Sequence, residues 1–137
     1  MKKIEYYVTE QPNFKKGVRR LTKKKRFTSL PEQIEELEQT LERGEFPGTL
    51  TKHVDEPVSY DVYKLRLPNP DANVGKSNGY RIYYIVVTET KIIVLLAIYY
   101  KKEDESVADT YIDGLISGYF LDALPYDDEG WWSWHEQ

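Results

Sequence analysis

The chain has 137 residues, the usual size of one domain, and its 40% apolar content is enough for a single buried core. The absence of cysteine excludes disulfides and cysteine-ligated zinc, and no apolar run reaches the length of about 18 residues that a membrane-spanning helix needs. The N-terminus lacks the apolar segment of a secretory signal, so we expect a cytoplasmic protein without a membrane partner.

The formal net charge of −4 conceals a strong polarity along the chain. Residues 1–30 carry ten Lys or Arg against two Glu, whereas residues 101–137 carry two Lys against ten Asp or Glu. A basic end of this kind attracts nucleic acid or an acidic partner. The alternative is that both ends are ordinary solvated surface and neutralise each other.

The first quarter of the chain predicts a strand and a helix. The run KIEYYV at 3–8 is typical of a strand. In NFKKGVRRLTKKKR, at 13–26, apolar residues recur at helical spacing and basic residues fill the other positions. Gly17 lowers the helix propensity of this second segment.

A second helix is predicted by its ends and by its apolar stripe. Ser29 and Glu32 form a predicted capping box, Pro31 suits the first turn, and Gly44 is placed to end the helix. The apolar stripe consists of Leu30, Ile34, Leu37 and Leu41. The next residues, 45–59, are predicted to form a loop.

Three strands and a helix follow. YDVYKLRL at 60–67 alternates, and Lys64 and Arg66 lie on one of its faces. YRIYYIVVTE and KIIVLLAIYY are apolar on both faces apart from one arginine, and a tight turn joins them, so we expect central antiparallel strands. A last helix is expected from about Ser106, which would cap with Asp109.

This order of elements predicts an α+β fold. We expect an antiparallel sheet of about four strands, mixed at the N-terminal strand, with two N-terminal helices and one C-terminal helix packed on it. The acidic tail has no regular period.

Arg81 interrupts a strand that is otherwise apolar or aromatic. Because an unpaired buried guanidinium is strongly destabilising, we expect Arg81 either to pair with an acid or to lie at the mouth of a surface groove.

Cations of the three strands are expected to meet at one end of the sheet if the strands are neighbours in sequence order. Guanidinium groups bind phosphate oxygens bidentately and tyrosine rings stack on unpaired bases, so such a cluster suits a phosphodiester. The alternative, for a Lys and an Arg two residues apart, is an exposed polar strand face. The cluster would contain Lys64, Arg66, Lys76, Arg81 and Lys101 or Lys102.

Other chemistries have little support in the sequence. His53, expected in a loop, and His135, in the tail, are expected to be solvated rather than catalytic. The carboxylates of EQIEELEQ are spaced along a helix surface, and GKS at 75–77 lacks the upstream glycine of a phosphate-binding loop. We therefore expect neither a metal ion nor a cofactor.

The segments YKLR, GYRIYYIVV, KIIVLLAIYYKKEDE and YIDGLI together resemble the RelE superfamily of bacterial type II toxins, especially its RelE- and HigB-like branch. The resemblance is strong over residues 60–116 and weaker over 3–59. It implies a small α+β toxin that is a metal-independent mRNA interferase, cutting mRNA in the ribosomal decoding site. A cognate antitoxin would hold it inactive, and the free toxin would be a monomer.

The resemblance also implies roles for single residues. Arg66 and Arg81 would hold the scissile phosphate, and Lys64 is the candidate for assisting deprotonation of the 2′-hydroxyl. Lys102, or Lys101, would serve the leaving 5′-oxygen. We expect further contacts to RNA from Lys76, Tyr99, Lys101, Tyr111, Arg19, Arg20, Lys23 and Lys24.

The chain departs from the superfamily in four respects, one of which is its net acidity, since these toxins are usually basic. Ala108 stands where some members have a tyrosine, and Arg66 stands where some have a second lysine. The chain is also longer than such toxins, so we expect a toxin domain at 1–118 and an acidic, Trp-rich extension at 119–137. One hypothesis is that this extension covers the cationic cluster and inhibits it, and the alternative is a disordered end or tryptophans packed on a core edge.

Two other functions stay open. A ParE-like toxin would inhibit DNA gyrase by binding, although such a binder does not need a phosphate cluster. A toxin-fold binding module without catalytic activity would only pair with an antitoxin or another protein, and Ala108 and the acidic tail favour it.

Overall fold

The computed structural model of the protein describes residues 5–103 and 109–123. The chain divides into two compact units, residues 1–107 and residues 108–137. In the described residues, no helix is both long enough and apolar enough to cross a membrane.

The first unit is built on a five-stranded sheet in the order β1-β5-β4-β3-β2. Neighbouring strands are antiparallel, except that β1 runs parallel to β5. The α+β class, the mixed N-terminal strand and the central position of β4 and β5 are therefore confirmed. The strands are β1 (Tyr7–Glu10), β2 (Thr49–Val54), β3 (Tyr60–Leu67), β4 (Tyr80–Val87) and β5 (Ile92–Tyr100).

The prediction of a loop over 45–59 is wrong, because Thr49–Val54 forms β2 and brings the sheet to five strands. β2 lies at an edge of the sheet and its first five residues are exposed. A strand without a buried face needs no alternation of apolar and polar residues, so TLTKHV lacks the pattern that identified the other strands. The first strand also begins later than predicted, at Tyr7.

Two helices, α1 (Pro12–Lys23) and α2 (Leu30–Glu42), pack against one face of the sheet. Their buried side chains share one apolar cluster with alternate residues of β4 and β5. We call this side of the sheet the helix-covered face. The approach of α1 explains its glycine, because a Cβ on Gly17 would lie 2.8 Å from Cγ2 of Ile98.

The start of α2 differs from the predicted capping box, and its end agrees with prediction. Ser29 makes no side-chain capping bond and instead donates from both its hydroxyl and its backbone N–H, each over 2.9 Å, to the carboxylate of Asp71. At the other end, Gly44 has a φ of 85° and its N–H donates to the carbonyl of Leu41. Ser29 thus ties the helix to a distant loop, which the local sequence does not reveal.

The second unit contains helix α3 (Asp109–Ala123). The predicted helix start at Ser106 and the departure at Ala108 lie outside the described residues, as does the tail from residue 124 onward. The helix continues past residue 118, and the domain boundary expected there stays a prediction.

Candidate functional site

The alternation of β3 places Lys64 and Arg66 on the face opposite to the helix-covered face. The strand register sets Arg66 directly across from Arg81, and Arg81 directly across from Tyr99 of β5. Lys64 lies across from Tyr83 in the same way. Directly opposed residues have Cβ atoms about 5 Å apart, so these five side chains form one continuous patch, which we call the cationic face.

Arg81 is buried, with 3% of its surface exposed. In the described residues its guanidinium does not pair with an acid. Instead it donates to three backbone carbonyls: Nη1 to Lys76 over 2.8 Å and to Tyr80 over 3.2 Å, and Nη2 to Ser77 over 2.8 Å. The sequence predicted the unusual position of this arginine but not its partners.

The charges of the cationic face repel each other. Burial lowers the pKa of the Arg81 guanidinium from its ordinary value, and the positive charge of Arg66 lowers it further. Arg66 itself is exposed. An arginine side chain does not lose its proton in proteins, so two adjacent positive charges persist here and favour binding of an anion.

Lys64 and the tyrosines form the second part of the cationic face. The Lys64 ammonium lies 5.7 Å from the centre of the Tyr83 ring, within the range of a cation–π contact. Tyr83 in turn stacks on Tyr99, with ring centres 6.4 Å apart. Because both rings are buried, this geometry supports packing for Tyr99 rather than the base stacking expected from the sequence. Tyr111, in the second unit, is 48% exposed.

The loop before β4 and the residues after β5 meet at the same end of the sheet. A short 3₁₀ turn at Lys76–Asn78 carries Lys76, which is exposed. The N–H of Lys101 donates over 2.8 Å to the carbonyl of Gly79, which fixes the end of β5 beside this turn. Lys102 follows and is exposed. The turn that carries Lys76 and the end of β5 at Lys101 thus lie at the same end of the sheet, and a single cationic cluster there stays a prediction.

The cations of α1 and of the turn that follows it form two groups: those that pair with Glu103 and those that are exposed to solvent. Glu103 accepts from Arg20 and from Lys25, both over 2.7 Å, and these bonds hold its pKa below the ordinary value. Arg19, Lys23 and Lys24 are exposed. The role of Glu103, an acid among basic residues, was missed in the sequence because its partners lie more than 75 positions earlier.

His53 is also placed differently from the prediction, since it lies on β2 and not in a loop. Its two ring nitrogens contact Asp61 and Asp55, and the hydrogen bond to Asp61 is the main cause that raises its pKa, followed by that to Asp55. Within residues 5–103 and 109–123, no group of three or more His, Cys, Asp or Glu side chains is arranged to hold a metal ion. His135 lies outside the described residues.

Comparison with known proteins gives a likeness of structure. No protein-family model matches the sequence, and no curated protein matches it. The chain is similar to a free-state mutant of the Escherichia coli toxin RelE, with 20% identity and a TM-score of 0.47, over 74% of this chain and 90% of that one. It is also similar to the isolated E. coli RelE toxin, with 18% identity and a TM-score of 0.47, over 82% of this chain and 97% of that one.

Proposed function

We propose that this chain is the toxin of a type II toxin–antitoxin system and acts as a metal-independent endoribonuclease on mRNA in the ribosome. In this proposal a cognate antitoxin neutralises it, it works in the cytoplasm, and it is a monomer when free. The observation that supports the proposal best is the direct opposition of Arg66 and Arg81 across β3 and β4. In the described residues neither arginine pairs with a carboxylate, so the patch suits a phosphate.

The proposed reaction is the one that the resemblance to the RelE superfamily implies. The 2′-oxygen attacks phosphorus while the bond to the 5′-oxygen breaks, which leaves a cyclic phosphate and a free 5′-hydroxyl. Arg66, as the exposed arginine, would contact the phosphate oxygens, and the buried charge of Arg81 would stabilise the negative charge that grows on them. Lys64, as a neutral amine, would take the proton of the 2′-hydroxyl, and Lys102 or Lys101, as an ammonium, would supply one to the leaving oxygen.

Basic residues elsewhere would bind the ribosome. The exposed residues Arg19, Lys23 and Lys24 belong to a segment of α1 and its following turn that contains no acidic residue. Phosphate attraction depends on local positive charge, so the net acidity of the chain does not oppose binding of ribosomal RNA by this segment. Arg20 would contribute less, because Glu103 already accepts from it.

The test is primer extension on ribosomes programmed with mRNA. The wild-type chain should cut the message within codons, and Arg66→Ala should lower the rate by roughly 10²–10³-fold, the usual cost of removing one well-placed charge donor. Arg43→Ala is the matched control, because Arg43 is an exposed arginine at the end of α2 that pairs with Glu45. It should leave cleavage unchanged.

Other outcomes would favour the other functions. Growth arrest with intact mRNA and gyrase-linked DNA breaks would favour a ParE-like toxin. A chain that binds an antitoxin but neither cuts mRNA nor stops growth would be a binding module, and the burial of Arg81 is the observation that favours this alternative.

A further inference from the structure

Lys64 of β3 lies against the ring of a tyrosine of β4. The two residues are direct partners in the strand register, and the Lys64 ammonium lies over the Tyr83 ring, 5.7 Å from its centre. The positive end of a lysine is attracted to the face of an aromatic ring at such a distance. Because a lysine side chain has a flexible four-carbon stem, a contact of this kind limits where its ammonium can lie.

The Tyr83 ring is a fixed support for this contact. It is buried, with 5% of its surface exposed, and it stacks on the Tyr99 ring with an angle of 23° between the two planes. The register between β4 and β5 shifts directly after Tyr83. Irregularities of this kind occur next to active sites, where they change the direction of a side chain. A buried and stacked ring cannot follow a moving lysine, so it is the lysine that is held.

We propose that Tyr83 is a positioning residue for Lys64, whose ammonium it holds on the cationic face through the face of its ring. The inference deepens the proposed function and rests on it for the part that concerns RNA. In that function Lys64 is the group that takes the proton of the 2′-hydroxyl, and its position relative to the bound phosphate decides whether it can do so.

Tyr83 would act on the rate through placement rather than through basicity. A lysine is ordinarily an ammonium at neutral pH, and Lys64 is an ammonium again once it has taken the proton of the 2′-hydroxyl. The ring attracts the charged form in both states, so it adds little to the driving force of proton transfer. A general base must, however, lie within hydrogen-bond reach of the proton that it takes, and a misplacement of about 1 Å can cost roughly 10²-fold in rate.

The competing role is that Tyr83 only fills space in the sheet. Packing depends on the volume and apolar surface of the side chain, whereas holding an ammonium depends on the aromatic face. Tyr83→Phe keeps this face, and Tyr83→Leu removes it but leaves an apolar side chain. If Tyr83→Leu does not fold, Tyr83→Met takes its place, because methionine adapts to irregular space.

Primer extension on ribosomes programmed with mRNA gives the first readout. Tyr83→Leu should lower the rate of cleavage by roughly 10- to 10²-fold, and Tyr83→Phe should retain most of it. Tyr63→Leu is the matched control, since Tyr63 precedes Lys64 in the sequence and stacks on Tyr84 on the helix-covered face. It should leave the rate unchanged. Equal losses in Tyr83→Phe and Tyr83→Leu, or an equal loss in Tyr63→Leu, would overturn the proposal.

Dependence on Lys64 gives the second readout. If Tyr83 acts through Lys64, Tyr83→Leu should lower cleavage much less when Lys64 is already alanine. The residual cleavage by Lys64→Ala is measured at high protein concentration and long reaction times. A packing role predicts the same loss in both backgrounds, and that result would overturn the proposal.

Proton NMR of the free protein tests the contact without RNA. Protons that lie over an aromatic ring are displaced upfield by its ring current, so the ε-methylene resonance of Lys64 should lie further upfield in the wild type and in Tyr83→Phe than in Tyr83→Leu. Lys91, whose ammonium lies 5.2 Å from the centre of the Tyr6 ring, is the internal control and should keep its resonance in all three proteins.

The NMR result separates failure of this inference from failure of the proposed function. An ε-methylene resonance of Lys64 that is the same in the wild type and in Tyr83→Leu would overturn the proposal. A wild-type chain that cuts no mRNA would instead refute the proposed function, and the resonance of Lys64 would still decide whether Tyr83 holds it.

Discussion

On the helix-covered face of β4, the side chains of Tyr80, Ile82 and Tyr84 are completely buried in one apolar cluster with α1 and α2. On the opposite face, the same strand carries Arg81 and Tyr83 beside the cations of β3. Further along β4, the opposite face is apolar and buried at Ile85 and Val87, so its charge is confined to the end of the strand that carries Arg81. Substitutions on the first face should change stability, and substitutions of exposed residues on the second should change activity.

The largest effect on stability should come from the helix-covered face. Ile82→Ala should lower the free energy of unfolding by about 2–5 kcal/mol, because it leaves a cavity at a completely buried position. Urea unfolding followed by tyrosine fluorescence or circular dichroism measures the change. Arg66→Ala, on the opposite face, should change it by no more than about 0.5 kcal/mol, since Arg66 is exposed. Comparable losses in the two variants would show that the faces are not separated in this way.

The second effect distinguishes two tyrosines of the helix-covered face. The hydroxyl of Tyr84 donates to the carbonyl of Pro47 over 2.6 Å, whereas the hydroxyl of Tyr80 is buried without a hydrogen-bond partner in the described residues. Tyr84→Phe should therefore lower the free energy of unfolding by about 1–3 kcal/mol, and Tyr80→Phe should leave it unchanged or raise it. Urea unfolding of the two variants provides a matched comparison. A loss in Tyr80→Phe as large as that in Tyr84→Phe would contradict the assignment.

The third effect on stability concerns Glu38, a carboxylic acid of α2. Burial, followed by a hydrogen bond with Glu10 of β1, raises the pKa of the Glu38 carboxyl to about 8. The unfolded chain ionises this group near 4.5, so the free energy of unfolding should fall as pH rises from about 4.5 to 8. At pH 7, Glu38→Gln should stabilise the protein by about 1 kcal/mol, a value reduced for the water that reaches this half-buried group.

Thermal unfolding as a function of pH measures this effect. The stabilisation by Glu38→Gln should be small at pH 4, where Glu38 is protonated in both states, and should grow toward pH 8. Glu36→Gln is the control, because Glu36 is an exposed residue of the same helix. A stabilisation that does not depend on pH would refute the role of Glu38 ionisation.

Much of the fold and part of the candidate site could be predicted from the sequence. The alternation of YDVYKLRL placed Lys64 and Arg66 on one face, and short connections placed β3, β4 and β5 side by side, which set Arg66 across from Arg81. The partners of Arg81 could not be predicted, because backbone carbonyls of a turn leave no signal in residue types. The link from Ser29 to Asp71 and that from Glu103 to α1 were missed for a related reason: each joins residues that are far apart along the chain.

The smallest effect on stability is expected on the edge strand β2, whose first five residues are exposed. His53 has carboxylates on both ring nitrogens, so its pKa should lie above the ordinary value near 6.5. A histidine with a raised pKa adds stability that is fully present below about pH 6.5, the unfolded value, and is lost as pH rises through the folded value. NMR titration of the His53 ring, in the folded chain and in urea, measures the difference. Asp61→Asn should lower the folded pKa more than Asp55→Asn, because the hydrogen bond to Asp61 is the larger cause. The reverse order, or a folded pKa equal to that in urea, would show that these contacts do not hold in solution.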